Sequence, residues 1–471
     1  MCQPLTRPLF VHQRSAIQRA IASKRILLIR PLGSGKTAIG LHIADQLLCE
    51  PDSVGLWVAP AHLLPQLLQE RDRWDLSCPV EILQSTPLLV IPGTVYAMSY
   101  DRLRLSRSWL LGKRWKFVIV DEIQHAKNLK TQNHEVLSRL SARTEFFIGM
   151  TGAPFQNSPF EFFNLVALIA GKSIQRKLES CLAYKYERKY PWWLTWIRSW
   201  LGLRPHRGPV IGIRDPVTLR QLLLPHLDYS SSKQCTEECG LPEIVSQTVK
   251  IEMPISEVKW YRRIAAGHRK KLDRQFLSDD LEETCVERVF NRVADLRQTL
   301  LHTPEGPSSK IQALCRHVKE IVEKNSNARI IIFSNFVEHG VLPISCCLQT
   351  LGVSHAVYTG EVKIQTKTKI VEAFKNGPIP VLVLSPVGFE GLDLVGTTHV
   401  FIADPHYNPE VTNQLIARAT RAGSRVQQIF VFHYLSCSSQ LDKGTIDEAI
   451  LRIATRKAEV NQAIQQLLES G

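Results

Sequence analysis

Short apolar runs alternate with amphipathic stretches along the first part of the chain. We predict buried strands there at Arg25–Arg30, Gly55–Ala59, Phe117–Val120 and Phe146–Met150. The segments between them have helical periodicity, as over Ala61–Arg73. Strands that alternate with helical segments are typical of parallel α/β sheets. The pattern therefore predicts an α/β lobe over residues 1–170.

A second α/β alternation follows after an interruption. Its predicted strands are Arg329–Phe333, Val381–Leu384, His399–Ile402 and Gln428–His433. Residues 171–309 lie between the two alternations and are basic, aromatic and rich in helical periodicity. We therefore predict two parallel-sheet lobes, at 1–170 and 310–471, separated by a helical insertion and linker at 171–309.

Composition and charge narrow the class of protein. Of 471 residues, 44% are hydrophobic and 22% charged, which excludes a mainly disordered chain, a collagen-like fibre and a small disulfide scaffold. Lys and Arg outnumber Asp and Glu by 58 to 44, for a formal net charge of +14. This surplus favours a polyanionic partner, nucleic acid first and an anionic membrane surface second. A solvated basic surface is the alternative.

Cysteine usage and hydropathy bear on the compartment. The eleven Cys are scattered, the N-terminal MCQPLTRPLF lacks the apolar run of a signal peptide, and no apolar stretch nears membrane-spanning length. We therefore expect a soluble intracellular protein of the cytoplasm, nucleoid or nucleus, with no transmembrane segment. Cys235 and Cys239 have a metal-ligand spacing, but no second Cys/His pair follows closely, so we interpret them as structural.

A glycine-rich turn joins the first predicted strand to a helical segment. It reads Pro31-Leu32-Gly33-Ser34-Gly35-Lys36-Thr37 and precedes AIGLHIADQLL. Such a turn aims backbone N–H groups and a helix dipole at a phosphate. We expect Gly33, Ser34, Gly35, Lys36 and Thr37 to bind ATP, with Lys36 at the β and γ phosphates and Thr37 on Mg²⁺.

Two adjacent carboxylates end another predicted strand. The chain reads VIVDEIQHAKN over residues 118–128. In a parallel sheet this places Asp121 and Glu122 at the carboxyl edge, beside the phosphate loop. We expect Asp121 to bind Mg²⁺ and Glu122 to orient the attacking water. The two motifs together predict nucleotide hydrolysis.

These motifs resemble those of superfamily 2 helicase-like ATPases, and within them the Swi/Snf group of double-stranded DNA translocases. LFVHQRSAIQRA is similar to the adenine-reading segment of that family, VYAMSYDRL to its TSYxxL strand, and DEIQHAKN to its DEAH-type box. GMTGAPFQNSPFEFFNLVALI resembles its LTGTPxxN segment. The resemblance implies that Gln13 contacts adenine, that Gln124 couples neighbouring motifs, and that both lobes are RecA-like.

The resemblance continues in the second lobe. SPVGFEGLDLVGTTHVFIADPHYNPEVTNQLIARATRAGS is similar to motifs five and six of the family, and KGTIDEAILRIATRKAEV to a terminal helix that braces the lobe. On a helix, Gln414, Arg418 and Arg421 are spaced i, i+4 and i+7 and share one face. We expect the guanidinium groups of the two Arg on this face to reach a γ-phosphate that the other lobe holds. The alternative is that these two Arg belong to a solvated basic face.

The chain differs from the family pattern at two places. Arg30-Pro31 stands where the family usually has Asp-Glu before the phosphate loop, and Phe389-Glu390 replaces a common Gly-rich pair in motif five. The SPxGxEG wording is also similar to viral transcription-termination ATPases of the same superfamily.

A basic segment with four Trp, Tyr184–Arg207, lies in the insertion. Three interpretations stay open: a nucleic-acid wedge that stacks on bases, a surface that docks a partner or a membrane interface, and a small satellite core.

The resemblance and the motifs lead to one main expectation. The protein is an ATP- and Mg²⁺-dependent motor that hydrolyses ATP between its lobes and translocates on double-stranded DNA, remodelling protein–DNA complexes. One alternative is a helicase on single-stranded DNA or RNA, or a viral-type transcription-associated ATPase. The other is a catalytically weak, nucleic-acid-binding adaptor.

Overall fold

A computed structural model describes most of the chain. The described residues are 9–31, 33–50, 52–87, 89–152, 154, 159–184, 210–230, 238, 241–272, 294–362, 364–386, 394–406, 409–420, 426–442 and 444–469.

The first lobe is built on a seven-stranded, all-parallel sheet in the order β3-β4-β2-β5-β6-β1-β9. Its strands are β1 (Arg25–Ile29), β2 (Val54–Ala59), β3 (Val80–Ile82), β4 (Thr94–Ser99), β5 (Phe117–Asp121), β6 (Phe146–Thr151) and β9 (Leu227–Tyr229). The helices of this lobe are α1 (Val11–Ser23), α2 (Lys36–Leu47), α3 (Leu64–Arg73), α4 (Tyr100–Leu105), α5 (Arg107–Leu111), α6 (Gln132–Ser141), α7 (Pro159–Ala170), α8 (Ser173–Ser180) and α9 (Pro216–Leu223). An antiparallel pair, β7 (Leu182–Tyr184) and β8 (Val210–Ile213), lies beside them.

The second lobe has a six-stranded, all-parallel sheet in the order β10-β17-β16-β13-β15-β14. Its strands are β10 (Glu243–Glu252), β13 (Ile330–Phe333), β14 (His355–Tyr358), β15 (Val381–Leu384), β16 (His399–Ile402) and β17 (Gln428–Cys437), with a two-residue hairpin pair β11 (His302–Thr303) and β12 (Gly306–Pro307). Its helices are α10 (Ile255–Leu272), α11 (Ala294–Thr299), α12 (Ser309–Lys324), α13 (Leu342–Thr350), α14 (Ile364–Asn376), α15 (Pro409–Ala419) and α16 (Ile446–Glu469).

The central strands form where the sequence is continuously apolar. Strands β2, β5, β6, β13 and β15 are buried along their full length. Each sheet has an apolar cluster on both faces, because helices cover both sides of a parallel sheet. The predicted two-lobe α/β architecture is confirmed, and the eight predicted strands lie within a few residues of their expected bounds.

The segment 171–309 contributes to both sheets, which its helical periodicity did not indicate. Strand β9 pairs with β1 at the edge of the first sheet, and β10 pairs with β17 over ten residues at the edge of the second. The predicted division of the chain into residues 1–170, 171–309 and 310–471 stays a prediction. Residues 185–207 of the Trp-rich segment, and Cys235 and Cys239, lie outside the described residues.

The last helix, α16, connects the lobes. At its start Ile446 and Ile450 pack in a cluster with Met253 and Leu296, and near its end Ile464 and Leu468 belong to the apolar core of the first lobe. Lys310, at the start of α12, donates to Asp447 of α16 at 2.7 Å, with both side chains buried. The helix thus packs on the second lobe, as the resemblance implied, and also on the first.

No helix in the described part of the chain is both long and apolar enough to cross a membrane.

Candidate active site

The turn between β1 and α2 has the backbone of a phosphate loop. Gly33 and Gly35 have φ angles of 86° and 82°, a region that glycine adopts without steric cost. The α2 helix begins directly afterwards, at Lys36. A Cβ atom on Gly35 would lie 2.3 Å from Nε2 of Gln13. Gly35 therefore has a backbone conformation that favours glycine, and a Cβ atom there would require the Gln13 side chain to move.

Lys36 lies at the floor of this loop, 8% exposed. Its Nζ donates to the carbonyl oxygens of Arg30 at 3.3 Å and Pro31 at 3.4 Å, both long for a charged donor. Thr37 follows in the first turn of α2 and is half-buried. A buried ammonium group whose hydrogen bonds are long is suited to bind an anion.

Helix α1 lies against the phosphate loop through two neighbouring side chains. Gln13 donates from Nε2 to the Ser34 carbonyl at 3.0 Å, and its Oε1 accepts from the Phe10 backbone. His12 places Nε2 at 3.2 Å from the same Ser34 carbonyl and Nδ1 at 2.7 Å from the Glu238 carboxylate. The side chain expected to read adenine thus contacts the loop itself. His12 and Glu238 were not predicted, since no local pattern connects residues so far apart.

Asp121 is the last residue of β5, and Glu122 follows it directly. Because all seven strands are parallel, this strand end lies at the same edge of the sheet as the turn that follows β1. Asp121 is 4% exposed, and its Oδ1 accepts from the Glu122 backbone N–H at 3.0 Å. Burial, and then the negative charge of Glu122, raise the pKa of Asp121 to about 7, while Lys36 acts to lower it. Lys36 thus favours the charged form of the Asp121 carboxyl group, and the roles predicted for the two residues stay predictions.

Hydrogen bonds hold the Glu122 side chain in place. Gln124 donates from Nε2 to Oε2 of Glu122 at 2.5 Å, and Thr151 donates from Oγ1 to Oε1 of Gln124 at 2.7 Å. Thr151 ends β6, which lies between β5 and β1 in the sheet. The Gln124 amide therefore joins the carboxylate to the neighbouring strand.

Arg30 differs from the family pattern, and the structure accounts for it. Its guanidinium group is 2% exposed and pairs through Nη2 with Oδ2 of Asp228 at 2.5 Å, while Nη1 donates to the Asp228 carbonyl at 3.0 Å. Asp228 lies on β9, next to β1. The signal in the sequence was a charge at the end of an apolar strand, which needs a partner when buried, but nothing in the sequence identified that partner.

Two of the three second-lobe candidates lie on α15. Gln414 and Arg418 are half-buried on this helix, and Arg421 lies outside the described residues. Before α15, the Asp404 carboxylate accepts from the Ser334 hydroxyl at 2.7 Å, from Nδ2 of Asn335 at 2.6 Å and from Nη2 of Arg297 at 3.3 Å. These contacts hold Asp404 just after the end of β16.

The residues present fit a magnesium-bound nucleotide. Among the described residues no three His, Cys, Asp or Glu side chains cluster as a metal site. Mg²⁺ in nucleotide sites needs no such cluster, because it takes one or two protein oxygens and completes its shell with phosphates and water. The buried Asp121 carboxylate beside Lys36 and the glycine-lined loop are the donor set that this requires.

Comparison with known proteins identifies the family to which the domains of the chain belong. Residues 83–305 match the model of the SNF2-related domain, and residues 309–423 match that of the helicase conserved C-terminal domain. The chain is 22% identical to the DNA repair and recombination protein RAD54-like of Gallus gallus over 98% of its own length and 68% of that protein. It is 30% identical to Protein CHROMATIN REMODELING 19 of Arabidopsis thaliana over 82% of its length and 55% of that protein, so it spans little more than half of the plant relative. A solved structure, the Sulfolobus solfataricus SWI2/SNF2 ATPase core in complex with dsDNA, aligns over 100% of this chain and 97% of its own with 16% identity and a TM-score of 0.43.

Two family models thus match consecutive parts of the chain, and the first of them includes the Asp121–Glu122 pair and its supporting residues. The chain belongs to the SNF2-related, Swi/Snf-type group of superfamily 2 helicase-like ATPases.

Proposed function

We propose that the protein hydrolyses ATP and uses the energy to translocate on double-stranded DNA, remodelling protein–DNA complexes. One observation supports this above all others. The glycine-lined phosphate loop, Lys36, Asp121 and Glu122 come together at the carboxyl edge of one parallel sheet.

Each side chain of the first lobe has a role that its position suits. The backbone N–H groups of Gly33, Ser34 and Gly35 and the Lys36 ammonium bind the phosphates, and Gln13 turns from the Ser34 carbonyl to the adenine. Glu122, held by Gln124, orients the attacking water toward the γ-phosphate. Thr37 and Asp121 hold Mg²⁺, which when bound neutralises charge on the phosphate oxygens.

The second lobe completes the site when the cleft closes. The spacing of Gln414, Arg418 and Arg421 predicts that they share a helix face. We assign the two Arg the role of stabilising the negative charge that develops on the γ-phosphate. The Asp404 carboxylate accepts from Ser334, from both the backbone N–H and the side chain of Asn335, and from Arg297, and these contacts hold it just after β16. In this proposal residues 1–170 bind ATP, 310–471 supply the second lobe, and 171–309 connect them.

The net charge of the chain and the roles described for its relatives support nucleic acid as the partner. The net charge of +14 favours a polyanion, and curated relatives are described as DNA repair and recombination or chromatin remodelling proteins. Contacts to the phosphate backbone carry little sequence information, which suits a motor that moves along DNA of any sequence.

Steady-state ATP hydrolysis tests the proposal. We would measure turnover without nucleic acid and with duplex DNA, single-stranded DNA and RNA, each at two salt concentrations. Selective stimulation by duplex DNA that weakens as salt rises is expected. Stimulation by single strands or RNA would favour a helicase, and absence of turnover would favour the adaptor.

Two lysine variants, one at the proposed site and one on the exposed surface, test the assignment of the site. Lys36→Ala removes the phosphate-binding ammonium group and should reduce turnover by about 100-fold or more. Lys130→Ala removes an exposed lysine near the Asp121–Glu122 motif and should leave turnover unchanged. Equal turnover in the two variants would contradict the proposed site.

A further inference from the structure

Glu122 has an unusual backbone for a residue with a side chain. Its φ and ψ angles are 49° and 51°, in the left-handed region, where a Cβ atom crowds the following carbonyl. Such a conformation persists when the surrounding structure holds it, and it is common where a side chain must be aimed. Something must therefore stabilise the turn directly after Asp121.

One group that contacts this turn from elsewhere in the fold is the hydroxyl of Tyr100, the first residue of α4. The Tyr100 hydroxyl is 2.9 Å from the carbonyl oxygen of Asp121 and 3.0 Å from that of Glu122. A phenol has one proton, so the two adjacent carbonyls share it. The single hydroxyl thereby fixes the orientation of both peptide groups that flank the left-handed residue.

Tyr100 is itself rigidly placed. It is 7% exposed within the apolar core of the first lobe, and its ring lies 5.1 Å from that of His125. It begins α4, where Ser99 accepts from the Arg102 backbone and caps the helix. Strand β4 is separated from β5 by β2 in the sheet, so the hydroxyl reaches past the end of β2.

The phenol is suited to remain a donor. Burial, and then the negative charges of Asp121 and Glu122, raise the pKa of Tyr100 well above its ordinary value. An un-ionised phenol has the proton that the contacts to the two carbonyl oxygens need.

We infer that Tyr100 is a positioning residue for hydrolysis: its hydroxyl holds the Asp121–Glu122 turn so that the Glu122 carboxylate is aimed before ATP binds. Gln124 orients the side chain of Glu122, and Tyr100 orients the backbone that carries it. This inference rests on the proposed hydrolysis in its kinetic consequence, whereas its structural consequence is independent of it.

Tyr100→Phe tests the inference, because it keeps the buried ring and removes one oxygen. With duplex DNA saturating, kcat should fall about fivefold to tenfold, as expected for one lost hydrogen bond at the transition state, while KM for ATP stays within about twofold. In the protein without nucleotide, backbone amides of residues 121–127 should exchange with deuterium about fivefold to tenfold faster.

Tyr96→Phe is the matched control. Tyr96 is a buried tyrosine on β4, the strand that directly precedes Tyr100, and its hydroxyl accepts from the Ile91 backbone, away from the carboxylates. The same loss of one hydroxyl should leave kcat and exchange at residues 121–127 unchanged.

The outcomes separate the two proposals. Unchanged kcat in Tyr100→Phe, when the unmodified protein hydrolyses ATP, overturns the positioning role, and so does an equal fall in Tyr96→Phe. If the unmodified protein shows no hydrolysis, the proposed function fails, and amide exchange alone then decides whether Tyr100 holds the turn. Unchanged exchange overturns that role.

Discussion

At the scale of single residues, the phosphate loop depends on glycine for two separate reasons. At Gly35 the backbone needs a positive φ, and the space beside it is filled by the Gln13 amide. Any side chain there meets both obstacles. The positive φ is a requirement of the local backbone, whereas the contact with Gln13 depends on how helix α1 packs against the loop.

Gly35→Ala should therefore weaken nucleotide binding. The methyl group displaces Gln13 and deforms the loop, so we expect at least about a tenfold loss of affinity, on top of a backbone strain of about 1 kcal/mol. Titration with a fluorescent ATP analogue measures it.

Gly93→Ala is a control for backbone strain at a glycine that lies outside the phosphate loop. Gly93 also has a positive φ, of 75°, but no described atom lies within 4 Å of the place that a Cβ atom would occupy there. It should lose stability by a similar strain and keep its nucleotide affinity. Equal affinities of the two variants would contradict the expected role of Gly35 in nucleotide binding.

At the scale of elements, an ion pair ties strand β9 to the strand that leads into the phosphate loop. Arg30 and Asp228 are 2% and 8% exposed, so neither charge is well solvated. Arg19 of α1 approaches Oδ1 of Asp228 at 3.5 Å as a second cation. The pair therefore fastens part of the segment 171–309 onto the first lobe.

Asp228→Asn should destabilise the first lobe strongly. It leaves the Arg30 guanidinium buried without a counter-charge, which costs about 3–5 kcal/mol in the free energy of unfolding. Denaturant unfolding measures the change. Asp72→Asn breaks the exposed Arg71–Asp72 pair and should change the free energy by less than about 1 kcal/mol. Similar losses in both variants would mean that Arg30 finds solvent or another partner.

At the scale of the whole molecule, the two lobes carry different parts of one proposed reaction. Helix α16 packs on the second lobe at Ile446 and in the core of the first lobe at Ile464 and Leu468, so in the described part of the chain it joins the lobes in addition to the linker. Hydrolysis that requires Arg418 from the second lobe must therefore depend on how the lobes approach each other.

Arg418→Ala should separate binding from chemistry. ATP affinity should remain, since the phosphate loop is intact, while turnover falls by about 10³-fold or more, the effect of removing an arginine finger. Arg316→Ala on α12, an exposed arginine of the same lobe, should leave both unchanged. Single-turnover hydrolysis and nucleotide titration measure the two quantities, and loss of affinity without loss of turnover would contradict the two-lobe mechanism.

The sequence alone determined the elements and motifs that depend on neighbouring residues. Apolar runs predicted the strands Val381–Leu384 and His399–Ile402 with the bounds that the structure shows, because strands buried on both faces are continuously hydrophobic. The phosphate loop and the Asp121–Glu122 pair were recognisable because a turn and a strand end impose their chemistry over a few consecutive positions.

The tertiary structure alone decided the partners that support those motifs. Arg30 pairs with Asp228, which is 198 positions away, and the Tyr100 hydroxyl meets the Asp121–Glu122 turn across the end of another strand. It also placed β9 and β10, from a segment with helical periodicity, at the edges of the two sheets. Such contacts depend on which strands become neighbours in a sheet, and no periodicity along the chain records that order.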